Sequence, residues 1–182
     1  LESIAHRWGN DAKGKAEINE ALCQGCGHQD LYVALNEALD TGPGHGRVFS
    51  DIGCYTLGAL QPYSSIDTCV DMGASIPMAK GAADSGLRPA FAVIGDSTFT
   101  HSGITGLLDC VVEKSDVTVI ILDNEAVAMT GGQDSQARGR IEAICAGVGV
   151  APAHIRVVVP LKKNHDEMVQ VIREEMASPG VS

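Results

Sequence analysis

Two short stretches place hard oxygen donors directly after apolar runs. Gly95-Asp96-Ser97 follows Ala90-Phe-Ala-Val-Ile94, and Asp123-Asn124-Glu125 follows Val117-Thr-Val-Ile-Ile-Leu122. A glycine lets a ligand approach the backbone closely. Asp96 offers a carboxylate oxygen, Asn124 a neutral amide oxygen, and a nearby backbone carbonyl can complete the set. Aspartate, amide and carbonyl, together with phosphate oxygens, are the donors Mg²⁺ takes when it bridges a diphosphate. Gly73-Ala74-Ser75 opens a further helix toward the same place, as does the helix after Asp96, and helix N-termini favour anions. Either stretch alone reads equally well as turn chemistry. Asp96 and Asn124, 28 positions apart across one strand–helix–strand unit, make a much more specific pair.

Such donors need a scaffold that brings two strand ends together. The two apolar runs are rich in β-branched residues and read as strands buried on both faces of a parallel sheet. Ile104 to Lys114 reads as the crossover helix between them, giving a βαβ unit. Ligands of such sheets bind beyond the carboxyl ends of the strands. Upstream, Leu31, Ala34, Leu35, Ala38 and Leu39 share one helical face, and Thr41-Gly-Pro-Gly-His-Gly46 stops that helix. A short strand, Arg47-Val-Phe-Ser50, runs into Asp51-Ile-Gly-Cys54. A small-residue helix begins at Asp71-Met-Gly-Ala-Ser75 and stops near Gly86 to Pro89. A helix near Ile141 to Cys145, a fourth strand at Ile155-Arg-Val-Val-Val159 and a last helix N-capped by Asn164, with Asp166 and Glu167 in its first turn, complete the chain. Residues 1–20 read as a loose lead-in and 21–182 as one domain. The expected fold is α/β, an open, mostly parallel sheet with helices on both faces.

Composition narrows the partners. With 13 basic against 23 acidic residues the formal net charge is −10, and there is no dense Lys/Arg cluster, so nucleic acid and anionic membrane are excluded as partners. No apolar run approaches the roughly 18 residues of a membrane span, and the N-terminus lacks the order of a signal peptide. The chain opens at Leu1 and is read as a piece of a longer polypeptide. Of its 6 cysteines, Cys69, Cys110 and Cys145 are read as small core residues. Cys23, Cys26 and Cys54 lie at glycine-flanked turn positions. Their Cys-x-x-Cys could be a redox pair, half of a zinc site or incidental. A reducing cytoplasm fits the whole set.

Five collinear motifs then carry a resemblance. Cys23-Gln-Gly-Cys26-Gly-His28, Asp51-Ile-Gly-Cys-Tyr-Thr-Leu-Gly58, Met72-Gly-Ala-Ser75, Gly95-Asp-Ser-Thr-Phe-Thr-His-Ser-Gly103 and Leu122-Asp-Asn-Glu-Ala-Val-Ala-Met-Thr-Gly-Gly-Gln133 resemble those of the 2-oxoacid:ferredoxin oxidoreductases. Within that family the resemblance is to the thiamine diphosphate-binding domain of the indolepyruvate-type α subunits, over roughly residues 20 to 176.

The resemblance implies roles. Asp96 and Asn124 would bind Mg²⁺ through their side chains and Ala126 through its carbonyl. Gly73, Ser75, Gly95, Ser97 and Thr130 would lie around the diphosphate of thiamine diphosphate. Met72 matches the bulky apolar residue that holds the cofactor bent, so that its aminopyrimidine reaches the thiazolium C2 proton; without the resemblance it reads equally as a core methionine. Cys23, Cys26 and Cys54 match three ligands of a [4Fe–4S] cluster, whose fourth ligand in related enzymes follows a further strand. His28 would line the cofactor pocket, and His101 could reach a phosphate or a substrate carboxylate; these are the candidate catalytic imidazoles. For His101 a bond to backbone at the start of the helix is the alternative.

The implied activity is oxidative decarboxylation of a 2-oxoacid, aryl pyruvates in particular, with coenzyme A as acyl acceptor and ferredoxin as electron acceptor. No segment resembles the pyrimidine-binding domain that supplies an activating glutamate, so that domain or a second subunit is an expected partner. The alternatives are a non-oxidative thiamine decarboxylase, a Rossmann-like nucleotide-binding regulatory module and a structural subunit. The cysteine motifs weigh against the first, the missing Gly-x-Gly-x-x-Gly turn against the second, and the intact Asp96/Asn124 pair against the third.

Overall fold

The computed structural model describes residues 22–40 and 47–182 of the chain. Helix α1 (Gly27–Leu39) buries the five apolar residues that its spacing predicts, and ends where Asp40 turns left-handed. Strand β1 (Val48–Ser50) leads through a 3-10 segment, Cys54–Ala59, to β2 (Thr68–Cys69) and α2 (Ser75–Asp84). Strand β3 (Phe91–Gly95) passes directly into helix: α3 (Asp96–Thr98), a π-helical segment Phe99–Gly103, then α4 (Ile104–Glu113). Strand β4 (Thr118–Leu122) is followed by a small antiparallel hairpin, β5 (Ala126–Val127) with β6 (Gln133–Asp134), and by helices α5 (Ile141–Val148) and α6 (His165–Ala177). The expected helix stop at 41–46 and the expected lead-in at 1–20 lie outside the described residues.

The sheet has the order β2-β1-β3-β4, and every pairing in it is parallel. The alternation of side chains along each strand splits the core in two. Val48, Phe91 and Val93 pack with Leu35 of α1 and Met168 and Ile172 of α6. On the other face Ala92 and Ile94 pack with Ile76 of α2, Phe99, and Leu107 and Cys110 of α4. Helices therefore cover both faces, as expected. Burying each Val, Leu, Ile or Phe side chain contributes about 1.5–3 kcal/mol, and β3, buried along its whole length, is the axis of the domain. Cys110 and Cys145 are buried core residues, whereas Cys69 is half-buried, with its thiol against the carbonyl of Asp51.

Three local differences from the sequence expectation have physical reasons. Ile155–Val159 forms no ladder, and Val181 and Ser182 hold the first part of the free edge of β4. Val181 bridges Val117 in parallel, Val119 donates its N–H to the Ser182 carbonyl and Ser182 donates to Val117. A groove of about 500 Å³ separates β4 from Ile155–Pro160, which leaves most of β4 only half-buried. Asn164 stands at the N-cap of α6 but makes no side-chain cap; its amide donates instead to the Val159 carbonyl. The two-residue β2 has no periodic signal and was not expected. Among the described residues no helix is long and apolar enough to cross a membrane.

Candidate functional site

Three parallel strands end alike: Ser50 is followed by Asp51, Gly95 by Asp96 and Leu122 by Asp123. Gly95 pairs with Leu122 across the β3–β4 ladder, so Asp96 and Asp123 emerge side by side. Asp96 is 3% exposed and starts the helix after β3. Its Oδ1 accepts the N–H of Ser97 at 2.7 Å, while its buried Oδ2 has no hydrogen-bond partner. Burial raises the Asp96 carboxyl above the usual range; the Ser97 N–H and the Ser135 hydroxyl oppose the rise, and Asp123 adds to it. A buried, unpartnered carboxylate oxygen beside a second carboxylate is costly as it stands. A divalent cation would satisfy it.

The remaining donors surround this point. Asn124 is exposed, and its amide oxygen accepts the N–H of Ala126, which leaves a second lone pair on that oxygen. Asp123 makes the parallel turn with the N–H of Glu125, which has a positive φ. Ala126 lies in β5, which packs on α3. Ser97 is tied to the hairpin through its hydroxyl, 3.1 Å from that of Ser135. Thr130 is exposed on the 3-10 turn of the hairpin and donates to Gln133.

Asp51 organises the neighbouring strand end. It is fully buried, and burial raises its carboxyl, with the hydrogen bonds it accepts opposing the rise. One oxygen accepts the Tyr55 hydroxyl, and the other accepts the Ser75 hydroxyl at 2.7 Å and the Gly73 N–H at 3.1 Å. Ser75, expected near the diphosphate, is fully buried with its hydroxyl turned inward to Asp51. The Tyr55 ring fills the space beside Gly95, where an added Cβ would come within 2.5 Å of it. Gly73 has φ +88°, and Met72 beside it is exposed at the rim. His101 is exposed on the π-helical segment, with Nδ1 3.0 Å from the Ser102 hydroxyl. Segments of π-helix often mark functional sites.

The cysteine group lies at the start of α1. Cys26 is its N-cap residue, and His28 Nδ1 approaches Cys54 Sγ at 3.9 Å. His28 is buried, which lowers its pKa and keeps the imidazole neutral at pH 7. Burial pushes the Cys54 thiol up to about 11, and the charges of Cys26 and Cys23 act in the same direction. The three cysteines are thus close enough to sense one another, yet among the described residues no three Cys, His, Asp or Glu side chains form a group that could hold a metal. They do not fit a cluster in this arrangement.

Sequence reasoning named Asp96 and Asn124, which the structure brings to adjacent strand ends, and missed the buried carboxylate of Asp51 and the hydrogen bond from Ser102 to Met72. For Asp51 a signal was present, since it occupies the same strand-end position as Asp96.

The description "Thiamine pyrophosphate enzyme, C-terminal TPP binding domain" matches residues 51–182. The indolepyruvate oxidoreductase subunit IorA of Archaeoglobus fulgidus is 37% identical over 172 residues, covering 88% of this chain and 27% of that subunit. The subunit of the same name from Methanothermobacter marburgensis is 40% identical over 132 residues, 71% of this chain and 21% of its own. The chain thus spans about a quarter of the length of these relatives. Among solved structures, 2-oxoglutarate:ferredoxin oxidoreductase from Magnetococcus marinus, with 2-oxoglutarate, coenzyme A and succinyl-CoA bound, aligns at TM-score 0.68. It is 17% identical, over 92% of this chain and 63% of that one. Benzoylformate decarboxylase from Polynucleobacter necessarius aligns at 0.62 and 19% identity, over 83% of this chain and 31% of its own. At such identities the two structures bear on the fold alone. Family match, paired strand ends and parallel sheet agree: the chain belongs to the C-terminal TPP-binding domain family of the thiamine pyrophosphate enzymes.

Proposed function

We propose that this chain supplies the Mg²⁺ and diphosphate half of a 2-oxoacid:ferredoxin oxidoreductase site. The observation that carries the reading is the buried, unpartnered Oδ2 of Asp96 beside Asp123, in a chain of the TPP-binding family. Asp96, Asn124 and the Ala126 carbonyl would hold Mg²⁺. Gly95, Ser97 and Thr130 would stand around the diphosphate, and Met72, beside Gly73 whose N–H is given to Asp51, would sit beneath the ring system. Ser75 acts one step removed, by fixing the start of α2. When bound, thiamine diphosphate supplies the electron sink for decarboxylation.

This chain's own part is to bind, orient and neutralise. Asp96 contributes the anionic oxygen that a divalent cation needs, and the cation offsets the repulsion between Asp96 and Asp123. His28, neutral and buried beside Cys54, can exchange a hydrogen bond without bringing charge into the site. His101, exposed and tied to Ser102 through Nδ1, would meet a substrate carboxylate oxygen through Nε2.

Indolepyruvate and related aryl pyruvates are the substrates we propose, with coenzyme A receiving the acyl group and ferredoxin the electrons; the names of the relatives support this choice. The activating carboxylate would come from a pyrimidine-binding domain or a second subunit. A reducing cytoplasm suits the six thiols. No step is assigned to an iron–sulfur cluster. The test is reduction of ferredoxin by the assembled enzyme, supplied with thiamine diphosphate, Mg²⁺, coenzyme A and one of indolepyruvate, pyruvate or 2-oxoglutarate. Preference for indolepyruvate is expected. Turnover with none of them, while thiamine diphosphate binds, would overturn the substrate class.

A further inference from the structure

The peptide bond between Met72 and Gly73 is held at both of its polar ends. Its carbonyl, on Met72, accepts the Ser102 hydroxyl at 2.9 Å. Its N–H, on Gly73, donates to Asp51 Oδ2 at 3.1 Å. The two partners come from different strand ends: Asp51 directly follows β1, and Ser102 lies in the π-helical segment that continues β3. The peptide has almost no freedom left. Gly73 is left-handed, at φ +88°, and a Cβ there would come within 2.2 Å of the Ser102 oxygen, so only glycine allows so close an approach. Ser102 spends its one proton on the Met72 carbonyl, so at its oxygen it accepts from His101 Nδ1, 3.0 Å away. Asp51 is in turn braced by the Tyr55 and Ser75 hydroxyls.

We propose that Asp51 and Ser102 are paired positioning residues that clamp the Met72–Gly73 peptide and so set the height and direction of the Met72 side chain. The inference rests on the reading that Met72 lies beneath the ring system of thiamine diphosphate. An exposed methionine has three flexible torsions and by itself makes a poor wedge. Fixing its backbone from both sides gives it one direction. The clamp serves the ring end of the cofactor, while Asp96 and Asn124 serve the diphosphate end.

This division supplies the test, made in the intact subunit by calorimetry with two probes, thiamine diphosphate and inorganic pyrophosphate, each with excess Mg²⁺. Ser102→Ala removes one solvent-exposed hydrogen bond and should weaken thiamine diphosphate binding about 2- to 5-fold. Pyrophosphate affinity should not move. Asp51→Asn should weaken the cofactor further, and the double variant should lose less than the product of the two single losses, because both act on one peptide. Should Asp51→Asn fail to fold, Ser102→Ala and Met72→Ala form the same cycle through the side chain being positioned. Equal cofactor affinity in wild type and Ser102→Ala, or equal losses for both probes, would overturn the clamp. Wild-type protein that binds pyrophosphate but not thiamine diphosphate would overturn the functional reading, and the clamp with it.

Discussion

Asp96 and Asp123 follow directly on Gly95 and Leu122, which face each other across the β3–β4 ladder, so two carboxylates stand together at the carboxyl edge of the sheet. One of them is buried with an oxygen that has no hydrogen-bond partner among the described residues. Keeping such a pair costs stability, which a bound cation would offset.

The first prediction follows from the sign of the Asp96 shift. Its native pKa is raised, so without metal the charged carboxylate destabilises the fold at neutral pH, and this cost disappears as pH falls toward the unfolded value of about 3.9. Asp96→Asn should therefore melt at a higher temperature than wild type at pH 7 in a chelator, the gap closing toward pH 4. Added Mg²⁺ with thiamine diphosphate should raise the melting temperature of wild type only. A variant that melts lower than wild type at every pH would mean that protein groups already satisfy this carboxylate.

Two glycines separate packing from binding. A Cβ at Gly58 would meet the Tyr32 ring at 2.4 Å, and one at Gly95 would meet Tyr55 at 2.5 Å. Each change to alanine should destabilise by about 1–3 kcal/mol through overpacking, measured by urea unfolding. Only Gly95→Ala, which displaces the residue before Asp96, should also weaken the cofactor. Equal binding losses in both would point to a general loosening.

Much of this was legible in the sequence, and the exceptions follow a pattern. The apolar runs behind β3 and β4, the five-residue face of α1 and the Gly95-Asp96 strand end are all local signals, and the structure places them as expected. Ile155–Val159 has equal β-propensity but no ladder, since propensity says nothing about which edge is free; here Val181 and Ser182 hold part of it. Ser75 was recognised by its motif, yet the direction of its hydroxyl depends on Asp51, 24 positions earlier. Ser102 is a small polar residue whose role exists only because a π-helical segment turns it toward Met72.

The cysteines give a prediction about iron. Cys23, Cys26 and Cys54 form no metal-holding group among the described residues, and a cluster requires thiolates, usually four. Residues 1–182 alone, reconstituted without oxygen with ferrous iron and sulfide, should retain well under the about four irons of one cluster. Retention of four, lost on changing Cys23, Cys26 and Cys54 to serine, would show that these thiols do converge with a fourth ligand.

Activity of residues 1–182 alone is expected to be absent. Glu20, Glu37, Glu113 and Glu125 lie in no motif that would set a carboxylate against the aminopyrimidine. Decarboxylation of indolepyruvate, pyruvate or 2-oxoglutarate, followed with thiamine diphosphate, Mg²⁺ and an artificial electron acceptor, should stay at background. Turnover near that of an assembled enzyme would show that the chain carries its own activating group.

The central claim is that Asp96 holds the divalent cation through which the diphosphate is bound. Titration calorimetry of thiamine diphosphate into the intact subunit tests it, comparing wild type in excess Mg²⁺, wild type in excess chelator, and Asp96→Ala in excess Mg²⁺. Binding in the first case and little or none in the other two is the predicted result. Affinity undiminished by the chelator or by the loss of Asp96 would contradict the account.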